Sequence, residues 1–334
     1  MDGPLWTDEH APTLAELPQS TVRESLDRAV AEPLNLILHG PPGAGKTAAV
    51  RALADELHTD PDNDLVELNV ADFFGRTKKE VSEDPRFSSF ITSKRRRNSS
   101  KADLIKHVLS ESASYAPVSG EYKTILLDNA EAIREDFQQA LRRVMERHHE
   151  TTQFVVTTRQ PSKLIPPIRS RCFSIAVRAP TADEIVSVLE KIVTEEGVDH
   201  DADGLEYVAN YADGDLRQAI LGAQTTAEAE GEITMDAAYE ALGSVGDDDR
   251  VEGMITAAER GEFQDARTTL DDLLVEEGLS GGELLDDVLR VARSRSVGPP
   301  PAELHRLAGE IDVELAEGTS DRLHLSHLFA EFGR

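Results

Sequence analysis

The sequence predicts an α/β domain with a parallel sheet flanked by helices, followed by a region made of helices alone. Short apolar runs alternate with segments of helical spacing through the first half of the chain, and this alternation is typical of a doubly wound parallel sheet. After about residue 177 helical spacing continues almost to the C-terminus. We therefore predict three parts, at residues 1–177, 178–244 and 245–334.

Four strands are predicted in the first part. The stretches at 34–40, 123–129 and 152–158 contain short apolar runs, and the stretch at 64–70 alternates between apolar and polar residues. Runs of this length and composition favour buried strands. Helical spacing fills much of the chain between them, as in residues 47–58 and 134–149.

Helices account for the rest of the chain. Thr181 is a predicted N-cap, because Glu184 follows three residues later and Gly197 ends the periodic segment. Two further helices are predicted within residues 201–231. The last part is predicted to hold helices at 250–259, 263–277, 280–296, 300–316 and 324–332.

The charge of the chain is strongly acidic. The formal net charge is -28, and only nine of the 35 basic residues are lysines. An acidic, arginine-rich surface favours adaptation to high salt, where at about 1 M the Debye length falls to roughly 3 Å. The alternative is an acidic protein that binds basic partners, but the acidic residues are spread from residue 55 to the end. We expect a halophilic source.

Cysteine content and hydropathy indicate the compartment. Cys172 is the only cysteine, so no internal disulfide can form, as in a reducing compartment. The opening "MDGPLWTDEHAP" lacks the apolar core of a secretory signal. No apolar run approaches the roughly 20 residues that span a bilayer. We expect a cytoplasmic protein without a membrane partner.

A glycine-rich loop joins the first predicted strand to a helix. Its sequence "GPPGAGKT" fits the G-x-x-x-x-G-K-[ST] pattern of a phosphate-binding loop, in the strand–loop–helix context that the pattern requires. Backbone N–H groups of such a loop form an anion-binding nest, and the following helix directs its positive end at the phosphates. Lys46 is expected to reach the β- and γ-phosphates, and Thr47 to bind Mg²⁺. The predicted cofactor-binding residues here are Gly40, Pro41, Pro42, Gly43, Ala44, Gly45, Lys46 and Thr47.

The third predicted strand ends in a carboxylate followed by an amide. Asp128 is the expected second partner of Mg²⁺. Nucleotide-hydrolysing proteins usually place a glutamate next, as a base for the attacking water, but this chain has Asn129. A side-chain amide cannot take a proton from water. Glu131 is a weaker candidate for the base, because we expect the following helix to carry it away from the site.

The chain resembles the small subunits of replication factor C, the archaeal and eukaryotic sliding-clamp loader of the AAA+ class, from about Leu5 to the end. The Ser-Arg-Cys element is the most discriminating part of this resemblance, since phosphate-binding loops occur in many classes. The matching stretches are "LWTDEHAPTLAELP" (5–18), "GPPGAGKT" (40–47), "VELNVAD" (66–72), "QQALRRVME" (138–146), "IRSRC" (168–172), "GDLRQAI" (214–220) and "RGEFQDARTTLDDLLVEEGLSG" (260–281).

The resemblance implies an α/β P-loop AAA+ domain, a helical lid and an all-α C-terminal collar. It also implies ATP and Mg²⁺ as cofactors. The implied partners are the other replication factor C subunits, which form a hetero-oligomeric pentameric ring in this family. The sliding clamp and primer–template DNA, held without sequence specificity, are the other implied partners. Arg171 corresponds to the arginine finger that reaches a neighbouring subunit's ATP, and Arg217 to the lid arginine that senses the γ-phosphate.

Several positions depart from the family pattern. Asn129 replaces the catalytic glutamate, and Arg159 stands where the family has a polar residue that orients water. We expect the charge of Arg159 to stabilise bound ATP instead. The start of the chain has Glu9, His10 and Ala11 in place of Lys-Tyr-Arg. The phosphate-binding residues are therefore retained while two water-activating residues are missing, which predicts ATP binding with weak hydrolysis.

One segment is basic in this acidic chain. Residues 76–106 contain ten basic and four acidic residues, and a few such contacts suffice to hold a phosphate backbone. The alternative is a basic loop with no role in binding. The candidate DNA-binding residues are Arg76, Lys78, Lys79, Arg95, Arg96, Arg97 and Lys101.

Three functions remain open from the sequence. The first is a clamp-loader subunit that binds ATP and supplies an arginine finger in trans. The second is a free-standing AAA+ enzyme that processes DNA, although the acidic helices at the C-terminus do not resemble the winged helix of an origin-binding ATPase. The third is a scaffold subunit that uses ATP only for folding and assembly.

Overall fold

The computed structural model describes residues 4–32, 34–70, 76–83, 99–118, 120–242, 244–275, 279–318 and 320–333. The chain forms two compact units, Met1–Ala241 and Leu242–Arg334. The region predicted as a separate second part therefore packs with the sheet-containing part in one unit.

A five-stranded sheet organises the first unit. Its strands are β1 (Leu36–His39), β2 (Leu65–Asn69), β3 (Lys123–Asp128), β4 (Thr152–Thr158) and β5 (Phe173–Ala176). They pair in the order β2-β3-β4-β1-β5, and every pair is parallel. The predicted parallel α/β sheet is confirmed. The fifth strand was not predicted, because a stretch of this length beside a charged motif carries little periodic signal.

The sheet is covered on both faces, which explains why the middle residues of its central strands β1, β3 and β4 are apolar and buried. Successive side chains of a strand point to opposite faces, and in β3 Ile125 and Leu127 join one hydrophobic core whereas Leu126 joins the other. Phe154 is fully buried in the first of these cores. The sheet is thus a rigid platform, and its carboxyl-terminal edge carries the loops that follow β1, β3 and β4.

Helices surround the sheet and continue into the lid. Those of the sheet-containing part are α1 (Trp6–Glu9), α2 (Ser20–Ala31), α3 (Lys46–Leu57), α4 (Pro61–Asp64), α5 (Lys78–Glu83), α6 (Lys101–Ser114), α7 (Glu135–His148) and α8 (Pro166–Arg169). Those of the lid are α9 (Ala182–Glu196), α10 (Ala202–Tyr211), α11 (Leu216–Glu230) and α12 (Met235–Leu242). Two short parallel strands, β6 (Asp199–His200) and β7 (Glu232–Ile233), accompany the lid helices.

The start and the end of α9 follow from its sequence. The Thr181 side chain accepts from the Glu184 N–H, and the Glu184 carboxylate accepts from the Thr181 N–H at 2.9 Å. Gly197 closes the helix in the left-handed region, with φ of 69°. Both predicted helix signals are confirmed, and each satisfies backbone groups that a helix end leaves unpaired.

The second unit consists of helices in its described residues. These are α13 (Ser244–Glu259), α14 (Phe263–Val275), α15 (Gly281–Arg295), α16 (Pro301–Glu317) and α17 (Asp321–Phe332). All five contribute to one apolar core, in which Leu270, Val288 and Leu328 are fully buried. The predicted all-helical C-terminal domain is confirmed.

Candidate nucleotide-binding site

The phosphate-binding loop lies between β1 and α3, at the carboxyl-terminal edge of the sheet. Gly43 and Gly45 adopt positive φ values of 64° and 89°, which glycine reaches without the steric penalty of a Cβ. A loop that alternates in this way turns successive N–H groups into one concavity, and such a nest binds anions. Helix α3 begins immediately after Gly45, at Lys46.

Lys46 is the buried cation of the loop. Its Nζ donates to the carbonyl oxygen of Gly40 at 3.0 Å and to that of Pro41, and the residue is 9% exposed. Burial lowers the pKa of Lys46, and the nearby carboxylates of Asp128 and Glu131 oppose that shift. The ammonium group is therefore held at the loop by weak acceptors that a phosphate oxygen can replace.

Thr47 and Asp128 meet beside the loop. The Thr47 hydroxyl donates to both carboxylate oxygens of Asp128, at 3.1 and 3.2 Å, and Thr157 Oγ1 donates to Asp128 Oδ1. A hydroxyl beside a carboxylate is a set of oxygen donors that suits Mg²⁺. Asp128 thus faces the loop, rather than capping the helix that follows it.

Asn129 occupies a left-handed backbone position. Its φ and ψ are 55° and 49°, a region that asparagine tolerates better than most residues. Its N–H donates to Thr157 Oγ1 at 3.2 Å. This turn ends β3 and starts a short 3₁₀ helix, Ala130–Ala132, before α7 begins at Glu135.

Glu131 is paired with Arg159. Arg159 Nε lies 2.7 Å from Glu131 Oε1, and Thr158 Oγ1 and the Arg159 N–H both donate to Glu131 Oε2 at 3.2 Å. Burial raises the pKa of Glu131, but the hydrogen bonds from Arg159 outweigh it and the net pKa is lowered. Both side chains also act electrostatically on Lys46. The expectation that a helix carries Glu131 away from the site is wrong, because the 3₁₀ turn keeps it beside β4.

The lid contacts the loop through the start of α11. The Leu216 N–H donates to the Gly43 carbonyl at 3.1 Å, and Asp215 caps α11 by accepting from the Gln218 N–H at 3.0 Å. A Cβ added at Gly43 would lie 1.9 Å from the Asp215 carboxylate. Arg217 follows in the first turn of α11 and is exposed beside a shallow cavity of about 310 Å³. The lid arginine therefore belongs to the helix whose N-terminus touches the phosphate-binding loop.

Arg171 lies at the amino-terminal edge of the sheet, opposite the edge that carries the phosphate-binding loop. It precedes β5, whereas the phosphate-binding loop follows β1, and these two strands are parallel neighbours. Its guanidinium donates to Glu146 Oε1 at 2.6 Å and to the Pro167 carbonyl at 2.7 Å. The adjacent Cys172 thiol has its pKa raised to about 12 by burial, so it is not a reactive nucleophile. The structure thus separates Arg171 from the nucleotide site of its own chain.

Three family descriptions match successive parts of the chain. Residues 36–180 match the ATPase family associated with various cellular activities (AAA). Residues 187–227 match the RCF1/5-like AAA+ ATPase lid domain. Residues 247–331 match the replication factor C C-terminal domain.

Relatives that resemble the whole chain decide the family. The replication factor C small subunit of Methanocella arvoryzae is 31% identical over 98% of this chain and 96% of its own length. That of Staphylothermus marinus is 32% identical over 98% and 93%. The chain belongs to the replication factor C small subunit family. A further small subunit, from Halobacterium salinarum, is 33% identical over 89% of this chain and 84% of its own length.

Membership of this family agrees with the fold described above. The chain is a subunit of the clamp-loader type with an AAA+ ATPase domain, and the resemblance stated from its motifs is confirmed. A solved structure of a RuvB variant from Thermotoga maritima aligns with 83% of this chain and 80% of its own length, at 14% identity and a TM-score of 0.48. That likeness is too distant to add to the argument. Among the described residues, no helix is long and apolar enough to cross a membrane.

The basic segment is only partly described. Arg95, Arg96 and Arg97 lie outside the described residues. The candidates Lys78 and Lys79 belong to α5, Arg76 precedes that helix and Lys101 begins α6. The neighbouring Lys106 pairs with Asp136 at 2.7 Å.

Several residues of the site were not predicted from the sequence. Thr157 bonds to Asp128, Asp215 contacts the phosphate-binding loop, and Glu146 holds Arg171. Gln19 donates to the loop at Ala44. Thr157 could have been inferred from its place near the end of a central strand. The other contacts join residues that are far apart in the sequence, and no local sequence pattern predicts them.

Proposed function

We propose that this replication factor C small subunit binds ATP with Mg²⁺, hydrolyses it slowly at its own site, and supplies Arg171 to the site of a neighbouring subunit. The observation that carries the proposal is the contrast around β3 and β4. The loop, Lys46, Thr47 and Asp128 form a phosphate and metal site, whereas Asn129 stands in the position of the base.

The nucleotide part rests on the fit between the cofactor and the residues present. The nest and Lys46 would hold the phosphates, and Thr47 with Asp128 would hold Mg²⁺. A bound Mg²⁺ would supply charge neutralisation at the phosphates. Arg159 would add positive charge near the γ-phosphate, and Arg217 would approach from the lid.

The weak hydrolysis rests on the lack of a free base near Asp128 among the residues that the structure describes. The amide of Asn129 cannot remove a proton from water. Glu131 is the nearest alternative, but its carboxylate is paired with Arg159 at 2.7 Å and is 11% exposed. A carboxylate with a lowered pKa that is bound to a guanidinium is a poor proton acceptor. The Asn129 amide can still hydrogen-bond to the attacking water and position it. We therefore expect slow rather than absent turnover.

Replacing Lys46 with alanine is expected to weaken ATP binding at least a hundredfold. The wild-type chain should bind Mg²⁺–ATP with a micromolar dissociation constant, because the loop and its lysine are in place. Isothermal calorimetry on both proteins measures this. Lys106→Ala is the matched control, since it also removes a lysine side chain, one that is partly buried and pairs with Asp136. Equal affinity of wild type and Lys46→Ala would refute the assignment of the nucleotide site.

The proposed partners are the other subunits of a pentameric loader, the sliding clamp and primer–template DNA.

The C-terminal helical unit, which matches the replication factor C C-terminal domain, is proposed to mediate assembly with the other subunits. Removing residues 245–334 should therefore abolish co-purification with them, and retention in the complex would contradict this role. The proposed domain limits are 1–177, 178–244 and 245–334. An acidic, arginine-rich chain of this family also fits a halophilic archaeon and a cytoplasmic location.

Replacing Arg95, Arg96 and Arg97 with serine is expected to weaken the loader's binding to primed DNA equally for all sequences. Each lost phosphate contact lowers the slope of log affinity against log salt by about 0.9 for duplex DNA, so the slope should fall by roughly 2 to 3. Titrations at several salt concentrations measure both effects. The matched control replaces three exposed arginines of the C-terminal unit, Arg260, Arg293 and Arg306. An unchanged slope, or a loss confined to one DNA sequence, would contradict the role.

A further inference from the structure

Two residues outside the phosphate-binding loop donate hydrogen bonds to consecutive carbonyl groups of the loop. The Leu216 N–H donates to the Gly43 carbonyl at 3.1 Å, and Gln19 Nε2 donates to the Ala44 carbonyl at 3.0 Å. In a trans peptide the C=O and the following N–H point in opposite directions. Each bond therefore turns the following N–H group, that of Ala44 or of Gly45, away from the residue that donates it, which leaves these N–H groups available to a nest that binds anions.

The peptide between Ala44 and Gly45 has a glycine on one side. Gly45 has φ of 89°, and a Cβ placed on it would meet no atom within 4 Å. Glycine populates both signs of φ about equally, and the space around Gly45 is open. Ala44 on the other side of this peptide is fully buried, and the hydrogen bond from Gln19 fixes the direction of the Ala44 carbonyl.

Gln19 also contacts the linker that leads to the lid. Its Nε2 donates a second hydrogen bond, to the Arg178 carbonyl at 3.1 Å, and the residue is 2% exposed. Arg178 lies between β5 and α9. One buried amide group thus uses both of its hydrogens, one on the phosphate-binding loop and one on the chain entering the lid. Buried polar groups of this kind are conformationally restrictive because their partners cannot turn to water instead.

The segment before Gln19 is attached to the lid helices. The Trp6 N–H donates to Gln224 of α11 at 3.0 Å. Glu16 pairs with Lys191 of α9, and the hydrogen bond from Lys191 lowers the pKa of Glu16 to about 2. Residues 4–19 therefore follow the lid along their length and reach the phosphate-binding loop at Gln19.

We propose that Gln19 is a positioning residue for nucleotide binding. It holds the Ala44–Gly45 peptide with the Gly45 N–H in the phosphate nest, and it makes that orientation depend on the lid linker at Arg178. The inference rests on the proposed function, in that it requires the loop to bind ATP. It adds a residue outside the glycine-rich motif that sets the affinity of the motif for phosphate.

The test compares two buried glutamines in the full-length chain. Gln19→Met keeps the size of the side chain and removes both donors. Gln153→Met is the matched control, because Gln153 is also 2% exposed and its Nε2 donates to the Leu34 carbonyl at 2.9 Å, at the opposite edge of the sheet. Thermal unfolding establishes that both variants fold, calorimetry gives their affinities for Mg²⁺–ATP and Mg²⁺–ADP, and hydrogen exchange at saturating ATP follows residues 40–47.

Gln19→Met is expected to lower the affinity for both nucleotides about tenfold. It should also reduce the protection of residues 40–47 from hydrogen exchange. Gln153→Met should lose comparable stability and keep its affinity within twofold. Gln19→Glu provides a second measurement, since it preserves the length of the side chain and replaces the two N–H donors with a carboxyl group that can supply at most one. Its affinity should also fall below that of the wild type. Wild-type affinity in a folded Gln19 variant, or equal losses in Gln19→Met and Gln153→Met, would overturn the inference. If the wild type itself binds no ATP, the proposed function fails first.

Discussion

Replacing Arg171 with alanine is expected to slow hydrolysis at the neighbouring subunit's site by about 10³-fold, the lower limit for loss of an arginine finger. Arg171 lies before β5, at the edge of the sheet opposite its own phosphate-binding loop. Its side chain is 35% exposed and is aimed by Glu146 and the Pro167 carbonyl. A guanidinium held in this way is ready to stabilise charge that develops on a ligand outside its own chain. Clamp-stimulated ATPase of the reconstituted complex measures the effect.

Arg142→Ala is the matched control for Arg171. Arg142 donates to the same atom, Glu146 Oε1, at 2.9 Å, and it too is partly exposed on α7. Its removal leaves the bond between Arg171 and Glu146 in place, so turnover should change by no more than a few fold. Equal losses in the two variants would indicate that the surface charge around Glu146 matters, and not a specific role of Arg171.

Replacing Asn129 with glutamate is expected to raise hydrolysis at this chain's own site by about 10²-fold, the lower limit for a general base. The carboxylate would stand next to Asp128, where the bound nucleotide and its metal are proposed to lie. We expect the lower limit because the Glu131–Arg159 pair remains in place. The left-handed backbone at this position, with φ of 55°, should cost a glutamate about 1 kcal/mol in the free energy of unfolding.

The variant Asn129→Gln distinguishes the effect of adding a base from the effect of lengthening the side chain. It has the length of glutamate but no basic oxygen, so its turnover should stay at the wild-type level. Single-turnover hydrolysis in the assembled complex measures all three proteins, and chemical denaturation measures their stability. A similar rise in both variants would show that proton removal is not what the wild type lacks.

The sequence predicted those parts of the site that a continuous pattern encodes. The loop at residues 40–47 stands between a strand and a helix, and Asp128 ends an apolar run, so both could be placed at one edge of the sheet. The structure adds that Thr47 and Asp128 contact each other directly. The roles of these residues toward a nucleotide stay predictions.

What the sequence could not predict depends on contacts between distant residues. The Asp215–Gly43 contact and the Gln19–Ala44 hydrogen bond each bring the loop against a part of the chain with its own local pattern. Glu131 was placed wrongly because the left-handed Asn129 and the 3₁₀ turn after it give no periodic signal. Its pairing with Arg159 follows from the adjacency of β3 and β4 in the sheet, which a strand list alone does not give.

The most direct test of the central claim is the total ATPase activity of complexes that differ only in this subunit. Clamp- and DNA-stimulated turnover is measured for the wild-type complex, for Asp128→Ala and for Arg171→Ala, after each complex is shown to be fully assembled. If this chain binds ATP and supplies Arg171 to a neighbouring site, Arg171→Ala removes the turnover of that site. Asp128→Ala then leaves the total ATPase activity nearly unchanged. If Asp128→Ala removes as much turnover as Arg171→Ala, this chain's own site is catalytic and Glu131 becomes the leading candidate for its base.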